Sequence, residues 1–592
     1  DRERERERSK LHISGARGVH GDWNQHQERE RVRERERERE EGGLEGTRPQ
    51  DEGPEQWEGE FPIWYQKTGA KDTTLQFESR FESGNLRRAV QVAPYEYDLI
   101  LNTDTNTHGH TQWFYFGVKN ARPGKTYRFT IVNMYKPDSL YNDGMQPVVL
   151  SKVELERYGV GWSRKGTDVC YFPNRLKRGR RGGHFYSLTF SFRFQHMHDT
   201  VYFAHCFPYT YSDLCRYLGE IEADPRKGQY MRRRAMCRTV SGNTCDLLTI
   251  TAFSSDPVSL AVRRAVVITG RVHPGETNSS WMMRGLLDLL VSDTPVADRL
   301  RHAYVFKVVP MMNPDGVVVG NYRCNLAGYD LNRRWQNPHK SLHPCIWHFK
   351  HTLSRIVRDR AVALYVDMHG HSRRKNVFMY GCDNKRDPAL LHYERVLPRI
   401  LDDFGPSFNY EDCTFKMQRS KEGTARLVVR KEYNVVNSFT MEASFCGTNQ
   451  GKYCDIQFNE AALMEMGAAL GKAILHSFAT DTTPGDAATD LSHPGVPPLS
   501  EAGREVLNTI RTELQRTAMR KEEEVEPIDD SDSESDEEPT IRDQIKGKKG
   551  NTPPPDADTP ADDVNPYEVL DSLSSLQAAL KRDTSKDKKK KK

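Results

Sequence analysis

Residues 265–276 read Ala-Val-Val-Ile-Thr-Gly-Arg-Val-His-Pro-Gly-Glu. The first five residues are apolar or β-branched, which predicts a buried strand of a parallel sheet. The strand leads into a loop that carries His273 and Glu276, and a helix is expected to begin near Asn278. Because α/β domains place their sites at the carboxyl ends of strands, this stretch predicts both a fold class and the position of a site.

The alternation of strand and helix continues along the chain. Buried strands are predicted at 305–309 and 363–366, and helical stretches at 281–291 and 345–358. Strands that alternate with helices indicate an α/β domain with a mostly parallel sheet. We place this domain at residues 211–480.

Residues 75–210 follow a different pattern. The runs 111–118, 127–132 and 186–194 alternate between aromatic or β-branched and polar residues. Such a period of two is typical of antiparallel strands, and glycine- and proline-containing turns separate the runs. This part of the chain is therefore predicted to form an antiparallel β-sandwich.

Both ends of the chain are highly charged and low in apolar residues. Residues 1–60 contain Arg/Glu repeats, while 481–592 contain a Pro- and Gly-rich stretch, an acidic run and a final run of lysines. Because such compositions cannot bury a core, we expect both segments to be largely disordered. Two stretches, near 501–520 and 566–582, have helical periodicity and are candidates for partner-binding helices.

Composition excludes several classes of protein. The chain has 592 residues, of which 87 are Lys or Arg and 83 are Asp or Glu, and a net charge of +4 is too balanced to indicate bulk binding of nucleic acid. No apolar run reaches the roughly 18–20 residues that cross a bilayer, and the Arg/Glu-rich start lacks the apolar core of a signal peptide. Eleven cysteines without a CxxC pair favour reduced thiols. We therefore expect a cytoplasmic protein without nucleic-acid or membrane partners.

Three predicted strand ends carry residues that could form a metal site. His273 and Glu276 follow the first strand, and His369 and His371 follow the strand at 363–366. A catalytic zinc ion takes three protein ligands and leaves one position open for water. The residues alone leave His369 and His371 as rivals for the third ligand. Glu442, at the end of a third strand, is a candidate general base.

Short motifs follow one another in a distinctive order between 75 and 480. This ordered set resembles that of the zinc carboxypeptidases, and more narrowly that of the cytosolic carboxypeptidases, in the subgroup numbered 2 and 3. The resemblance implies an amino-terminal antiparallel β-sandwich followed by an α/β catalytic domain with a mixed, mostly parallel sheet. The motifs that carry it are Phe81-Glu-Ser-Gly-Asn85-Leu, Tyr95-Glu-Tyr97, Phe207-Pro-Tyr-Thr-Tyr211-Ser, His273-Pro-Gly-Glu276, Asn313-Pro-Asp-Gly316, Gly320-Asn-Tyr-Arg323-Cys-Asn-Leu-Ala-Gly328, Asp330-Leu-Asn332-Arg333, Asp367-Met-His369-Gly-His371, Lys421-Glu-Gly-Thr424 and Thr440-Met-Glu442.

The resemblance implies a zinc ion and a general base. It assigns one zinc ion per chain to His273, Glu276 and His369, which leaves His371 outside the ligand set. Asp330 would orient His273 through a hydrogen bond. Glu442 would take a proton from water and pass it to the leaving amine.

The resemblance also implies residues that hold the substrate. Arg323 would stabilise the oxyanion of the tetrahedral intermediate. Asn332 and Arg333 would bind the terminal carboxylate of the substrate, a task that suits a planar guanidinium. One departure from the family pattern is Ala425, where glycine is usual, and the added methyl group removes no functional group.

The expected specificity is for acidic C-termini. The resemblance assigns the choice of acidic side chains to Arg426, and the segment around it is basic. It therefore implies protein deglutamylation, which is the hydrolysis of C-terminal glutamates, including the polyglutamate side chains of tubulin. The expected partners are tubulin or other glutamate-rich tails, at microtubules, centrioles or the basal body of a cilium. We expect a monomeric catalytic core.

Three alternatives compete with this interpretation. The same fold could remove tyrosine or another C-terminal residue, and the sequence does not exclude this. A non-catalytic microtubule-associated scaffold is disfavoured because every expected ligand and the base are present. Nucleotide binding at Arg122-Pro-Gly-Lys-Thr is disfavoured because Lys119 occupies the place of the first glycine of a phosphate loop.

Overall fold

The computed structural model describes residues 65–178, 183–479 and 496–523, with side chains up to residue 517. The disorder expected for 1–60 and for most of 481–592, and the helix expected near 566–582, lie outside these ranges. Within them, no helix combines the length and the apolar composition that a bilayer span needs.

The amino-terminal part is a β-sandwich. Its described strands are β1 (Gln76–Glu78), β2 (Arg88–Ala93), β3 (Glu96–Ile100), β4 (Tyr115–Lys119), β5 (Thr126–Met134), β6 (Val148–Ser151), β7 (Ser163–Arg164), β8 (Thr167–Lys177), β9 (His184–Arg193) and β10 (Val201–Ala204). One sheet has the order β1-β4-β10-β6-β7 and the other the order β2-β3-β5-β9-β8. The pairs are antiparallel except β3 with β5, so the predicted antiparallel sandwich is confirmed with one parallel pair.

The core of the sandwich is aromatic. Phe116 and Phe203 stack with ring centroids 5.6 Å apart, and Phe129 lies 5.4 Å from Phe203 and 5.6 Å from Phe190. All four rings are fully buried. The alternation of aromatic residues in the sequence therefore marks the inner face of each sheet.

The second part is built around a seven-stranded mixed sheet. Its strands are β11 (Met231–Arg238), β12 (Thr244–Ile250), β13 (Arg264–Gly270), β14 (Tyr304–Val309), β15 (Val362–His371), β16 (Val377–Tyr380) and β17 (Ser438–Ser444). The order is β11-β12-β14-β13-β15-β17-β16, in which the central strands β14, β13, β15 and β17 are parallel. This confirms the predicted α/β domain with a mixed, mostly parallel centre.

Strand β15 is longer than predicted. The sequence places His369 and His371 in a loop after residue 366, but the strand continues to His371 because it pairs with β17 along its whole end. His369 therefore stands on a strand, where it pairs with Glu442 of β17, while the pairing with β13 ends one residue earlier at Met368.

Helices cover both faces of this sheet. They are α1 (Lys152–Tyr158), α2 (Tyr211–Ala223), α3 (Pro225–Gly228), α4 (Pro257–Ala261), α5 (Thr277–Leu290), α6 (Pro295–Ala303), α7 (Pro314–Val319), α8 (Pro344–Asp359), α9 (Val396–Phe404), α10 (Ala425–Tyr433), α11 (Glu460–Ser477) and α12 (Glu501–Glu523), with α1 lying in the sandwich. Short 3₁₀ turns lie at Leu140–Asp143, Leu331–Arg333, Pro388–Leu390, Tyr393–Arg395, Arg419–Lys421 and Gly451–Tyr453. The apolar sides of α2, α5, α9 and α11 form the core on one face, and those of α8 and α10 form the core on the other.

Residues 496–523 add a helix to the packed domain. On α12, the helix predicted near 501–520, Leu507 and Ile510 are buried, and the helix packs against α9 and α11. Leu499 pairs with Phe478 just before it. The folded part therefore extends past the predicted boundary at 480, because the apolar side of this helix finds cover within the chain.

Helices α5 and α11 touch through two glycines. A Cβ atom on Gly467 would lie 1.8 Å from the Met282 carbonyl oxygen, and one on Gly285 would lie 1.9 Å from that of Met464. Because no side chain fits at such distances, the two backbones are in direct contact. Helix α5 begins immediately after Glu276, so this contact also sets the position of the loop that carries Glu276.

We expect Gly467→Ala to destabilise the protein by about 1–3 kcal/mol or more, because the added methyl group forces the two helices apart. Thermal unfolding of the full chain measures the change. The matched control is Gly219→Ala in α2, where a Cβ atom meets nothing within 4 Å. That control should be neutral or gain up to about 1 kcal/mol from helix propensity. An unchanged melting temperature for Gly467→Ala would contradict the direct contact.

Candidate metal centre

Three parallel strands bring the candidate site residues together. His273 and Glu276 lie in the loop and helix start that follow β13, while His369 lies near the end of the neighbouring strand β15. Glu442 on β17 stands directly opposite His369 in the strand register. The carboxyl edge of the sheet therefore collects these four residues, as the strand pattern of the sequence predicts.

The donor atoms of the three predicted metal ligands converge. Nδ1 of His273 lies 2.7 Å from Oε1 of Glu276, and Nδ1 of His369 lies 2.9 Å from Oε2 of the same carboxylate. The three ligand atoms all lie within 4.8 Å of one another, and all three residues are buried. Two imidazole nitrogens and one carboxylate oxygen are a donor set found in catalytic zinc sites.

The far nitrogens of both imidazoles are held by carboxylates. Nε2 of His273 lies 3.0 Å from Asp330, and Nε2 of His369 lies 2.8 Å from Asp367. A neutral imidazole that donates from Nε2 presents a lone pair at Nδ1, and both lone pairs then face the Glu276 carboxylate. Such contacts between acceptors repel unless a proton or a metal cation lies between them. The residues therefore fit a bound zinc ion.

Charged neighbours set the ionisation of the buried acids. Burial alone would raise the pKa of Glu276, but His273 and His369 hold it well below its usual range. Burial likewise opposes ionisation of Asp330, whose pKa is nevertheless held well below its usual range, first by Arg323 and then by His273. Both carboxylates are therefore charged and available as ligand and as hydrogen-bond acceptor.

Glu442 has a different environment. Desolvation raises the pKa of its carboxyl group to about 7. Within the described part of the chain its side chain makes no hydrogen bond, and it remains partly exposed. A carboxyl group beside the ligand set, with no partner of its own there, can exchange a proton with a bound molecule.

A buried arginine shapes the loop that carries His273 and Glu276. Arg271 has a positive φ of 57° and donates to the carbonyl oxygens of Pro274 and Tyr209, at 2.7 and 3.0 Å, and to Oγ of Ser280 at 2.8 Å. Burial lowers the pKa of its guanidinium to about 9. No sequence pattern indicates this role, because the partners are mostly backbone oxygens.

Arg323 lies beside the metal centre. Its Nε and Nη2 atoms lie 2.8 and 2.7 Å from Oδ2 of Asp330, the same residue that holds His273. Arg333 is further away, with Nη1 4.0 Å from Asp330, and its side chain is 37% exposed. Two guanidinium groups therefore lie along one side of the site.

The backbone around Arg323 is held by a carboxylate of the sandwich. Oδ1 of Asp104 accepts the N–H of Tyr322 at 2.6 Å, and Oδ2 accepts those of Arg323 and Cys324 at 2.6 and 2.7 Å. Burial raises the pKa of Asp104 to about 7, against the lowering effect of these three bonds. The role of Asp104 cannot be predicted from the sequence, since no local pattern links it to a segment more than 200 positions away.

Asn332 contacts the start of helix α10, and Arg426 lies in the first turn of that helix. Oδ1 of Asn332 accepts the N–H of Ala425 at 3.0 Å, which attaches the start of α10 to the site. Arg426 is buried and donates to the Gly381 carbonyl oxygen, with its guanidinium carbon 6.0 Å from the centre of the Tyr380 ring. Within the described residues, no carboxylate forms an ion pair with it.

His371 lies outside the converging donors. Its Nδ1 atom accepts the N–H groups of Arg373 and Arg374, at 3.4 and 3.0 Å, and its ring packs against Phe378 with centroids 5.2 Å apart. Of the two rivals that the residues alone leave open, His369 is the one whose nitrogen meets Glu276.

Sequence profiles of two families match the chain. The family described as Zinc carboxypeptidase matches residues 221–458, and the Cytosolic carboxypeptidase N-terminal domain matches residues 77–206. The first match covers the metal centre, and the second covers the sandwich with Asp104.

Similar proteins are found in animals. Cytosolic carboxypeptidase 2 of Xenopus tropicalis is 50% identical over 394 residues, which are 66% of this chain and 40% of that protein. Cytosolic carboxypeptidase 2 of Danio rerio is 44% identical over 466 residues, which are 78% of this chain and 62% of that protein. The chain therefore spans less than two thirds of the length of these curated relatives.

Solved structures share the fold. A metallo-carboxypeptidase from Burkholderia cenocepacia superposes with a TM-score of 0.55 at 23% identity and covers 68% of this chain and 98% of its own. One from Pseudomonas aeruginosa, in complex with (2-guanidinoethylmercapto)succinic acid, gives a TM-score of 0.54 at 24% identity, with 67% and 98% covered. The two profile matches and the identity to the animal relatives show that the chain belongs to the zinc carboxypeptidase family, in its cytosolic carboxypeptidase branch.

Proposed function

We propose that the protein is a zinc-dependent metallocarboxypeptidase, a hydrolase that removes residues from the C-termini of proteins. The observation that carries this proposal is the convergence of two imidazole nitrogens and a carboxylate oxygen at the sheet edge, with Glu442 beside them. One zinc ion per chain would be held by His273, Glu276 and His369. Asp330 and Asp367 would keep the two imidazoles in the ligating orientation.

The proposed chemistry divides between the ion and the chain. A zinc ion held here supplies Lewis-acid activation of water and of the peptide carbonyl group. Glu442 takes the proton of the attacking water and returns it to the leaving amine, a role supported by its carboxyl group free of partners within the described residues. Arg323 donates to the oxyanion that forms as water adds to the carbonyl carbon.

The terminal carboxylate of the substrate is assigned to Asn332 and Arg333. The exposure of Arg333 supports this assignment. A partly exposed guanidinium group can form two parallel hydrogen bonds to a substrate carboxylate. Asn332 lies between the ligand His369 and the start of α10, with its Nδ2 atom 3.5 Å from the His369 ring. These residues would select a free C-terminus, so the enzyme removes end residues only.

We further propose that the residue removed is glutamate. Arg426 supports this, because it is a buried guanidinium without an ion-paired carboxylate in the described part of the chain. Burying an unpaired charge is costly, and a substrate carboxylate would compensate it. Arg426 lies over Tyr380, which pairs with Thr440, two positions before the proposed base Glu442.

The finer assignment is deglutamylation of protein tails, including the polyglutamate side chains of tubulin, in the cytoplasm at microtubules, centrioles or ciliary basal bodies. Its support is the branch of the family to which the chain belongs and the unpaired charge of Arg426. Removal of tyrosine or another residue is the competing outcome. Mass spectrometry of tubulin tails and of peptides ending in Glu, Asp, Tyr or Lys, after incubation with the protein, separates the two.

Glu442→Gln should abolish turnover and leave zinc in place. The amide keeps the shape of the side chain but cannot accept a proton, and loss of a general base typically costs about 10²–10⁴-fold in rate. Peptidase assays and metal analysis of the purified variant measure both quantities. Glu411→Gln, at an exposed position, is the control and should be fully active. Near-normal activity of Glu442→Gln would remove this residue from the mechanism.

Replacing each histidine of the motif separately tests the ligand set. His369→Ala should lose the zinc ion and all activity, while His371→Ala should retain the ion, because only the His369 nitrogen meets Glu276. Inductively coupled plasma mass spectrometry of both proteins gives the zinc content of each. The opposite pattern, with zinc lost only from His371→Ala, would reverse the assignment.

Arg426→Met should lower kcat/KM for peptides that end in glutamate by about tenfold or more, since 1.4 kcal/mol corresponds to a tenfold change. Peptides that end in an apolar residue should lose less or gain, and the zinc content should not change. Arg430→Met, one turn further along α10, is the matched control and should keep the preference for glutamate. An equal loss on all substrates would show that Arg426 is not the residue that selects acidic side chains.

A further inference from the structure

Three cysteines outside the metal centre form a second group of converging donors. Cys237 lies on β11, Cys245 on β12 and Cys345 in the first turn of α8. Their Sγ atoms all lie within 4.8 Å of one another, and those of Cys237 and Cys345 are 3.9 Å apart. All three residues are buried. Sulfur atoms from three separate elements of the fold therefore meet in the interior.

An irregularity in the sheet turns Cys237 toward the other two cysteines. In the antiparallel pair β11–β12, Ala235 stands opposite Asp246, and the next pair is Cys237 opposite Cys245. Met236 is skipped by a β-bulge. Without the bulge, Met236 would face Cys245 and the Cys237 side chain would point to the other face of the sheet. The bulge thus creates the cluster.

The geometry and the surroundings suit a thiolate-bound zinc ion. Two ligands about 2.3 Å from a tetrahedral zinc ion lie about 3.8 Å apart, which agrees with the 3.9 Å between Cys237 and Cys345. Thiolates are soft ligands that zinc accepts readily. Cys345 lies in the first turn of α8, where the helix dipole favours a negative charge.

A fourth donor lies one turn along the same helix. His348 follows Cys345 by three residues, so both side chains leave α8 on the same side. In the structure the imidazole is not among the converging donors, so binding an ion requires a change of the His348 side-chain rotamer, for which its partial exposure leaves room.

We infer that Cys237, Cys245 and Cys345 bind a structural zinc ion, with His348 as the fourth ligand. Each thiol releases its proton to solvent when it binds, so three thiolates and a neutral imidazole around one dication leave a single net negative charge. The start of α8 faces that charge. This site is separate from the proposed catalytic centre and is independent of the proposed reaction.

The ion would brace the segment that holds the substrate carboxylate. Leu331 and Trp335 pack in the same apolar cluster as the three cysteines. They flank Asn332 and Arg333 in the chain. An ion that links β11, β12 and α8 would make the core behind these two residues more rigid. The role of the ion would therefore be structural rather than catalytic.

Metal analysis of the 592-residue chain purified under reducing conditions tests the proposal. We expect two zinc ions per chain, and one each for Cys345→Ser and for His369→Ala. Cys446→Ser replaces a buried cysteine outside the cluster and should keep both ions. Because His369→Ala removes only the catalytic ion, failure of the proposed catalytic site and failure of the cysteine site are distinguishable.

Cobalt substitution tests thiolate ligation without any mutation. Co²⁺ bound by cysteine gives strong thiolate-to-metal charge-transfer absorption in the near ultraviolet, which sites with nitrogen and oxygen ligands lack. We expect this absorption in the unmodified protein and in His369→Ala, and its reduction in Cys345→Ser. A single zinc ion per chain, copper in place of the second zinc, no thiolate band, or a disulfide between Cys237 and Cys345 in the purified protein would overturn the proposal.

Discussion

The structure depends on the burial of negative charge at one edge of a sheet. Glu276, Asp330 and Asp367 lie within hydrogen-bond distance of the same two imidazoles, and Asp367 is fully buried. Isolated buried carboxylates are costly, so each must be compensated. With both imidazoles neutral, three carboxylates against the guanidinium of Arg323 leave two negative charges, which equals the charge of one zinc ion. Arg333 lies further from Asp330 and nearer to solvent, where its charge is screened.

Much of the fold serves to hold this charged group. Parallel pairing of β13, β15 and β17 brings ligands and base to one edge. The glycine contact between α5 and α11 fixes the helix that starts after Glu276. Arg271 fills the turn between strand and helix, where its guanidinium binds backbone oxygens that would otherwise be buried without donors. Each of these contacts positions the backbone next to a proposed metal ligand.

The sequence predicts the parts of this arrangement that follow from a local pattern of apolar and polar residues. The run 265–269 is a strand because its apolar residues are continuous, and the positions of His273 and Glu276 follow from it. The choice of His369 over His371 came from family resemblance, and the geometry of Glu276 agrees with it. Pairing with β17 extends β15 beyond its apolar run, a tertiary effect that periodicity does not contain. The contacts of Asp104 are hidden because their partners are backbone groups more than 200 positions away, and the bulge at Met236 is hidden because it depends on the register with β12.

The three hydrogen bonds of Asp104 also bear on how such a protein can change over evolutionary time. The sandwich contributes an acceptor at a precise distance from the backbone of Arg323, and Lys136 reaches across to Tyr322 and Ser372. Recombination that joined this α/β domain to an unrelated sandwich would remove both contacts at once. The two parts are therefore expected to diverge in step and to be inherited as one unit, although each has its own hydrophobic core.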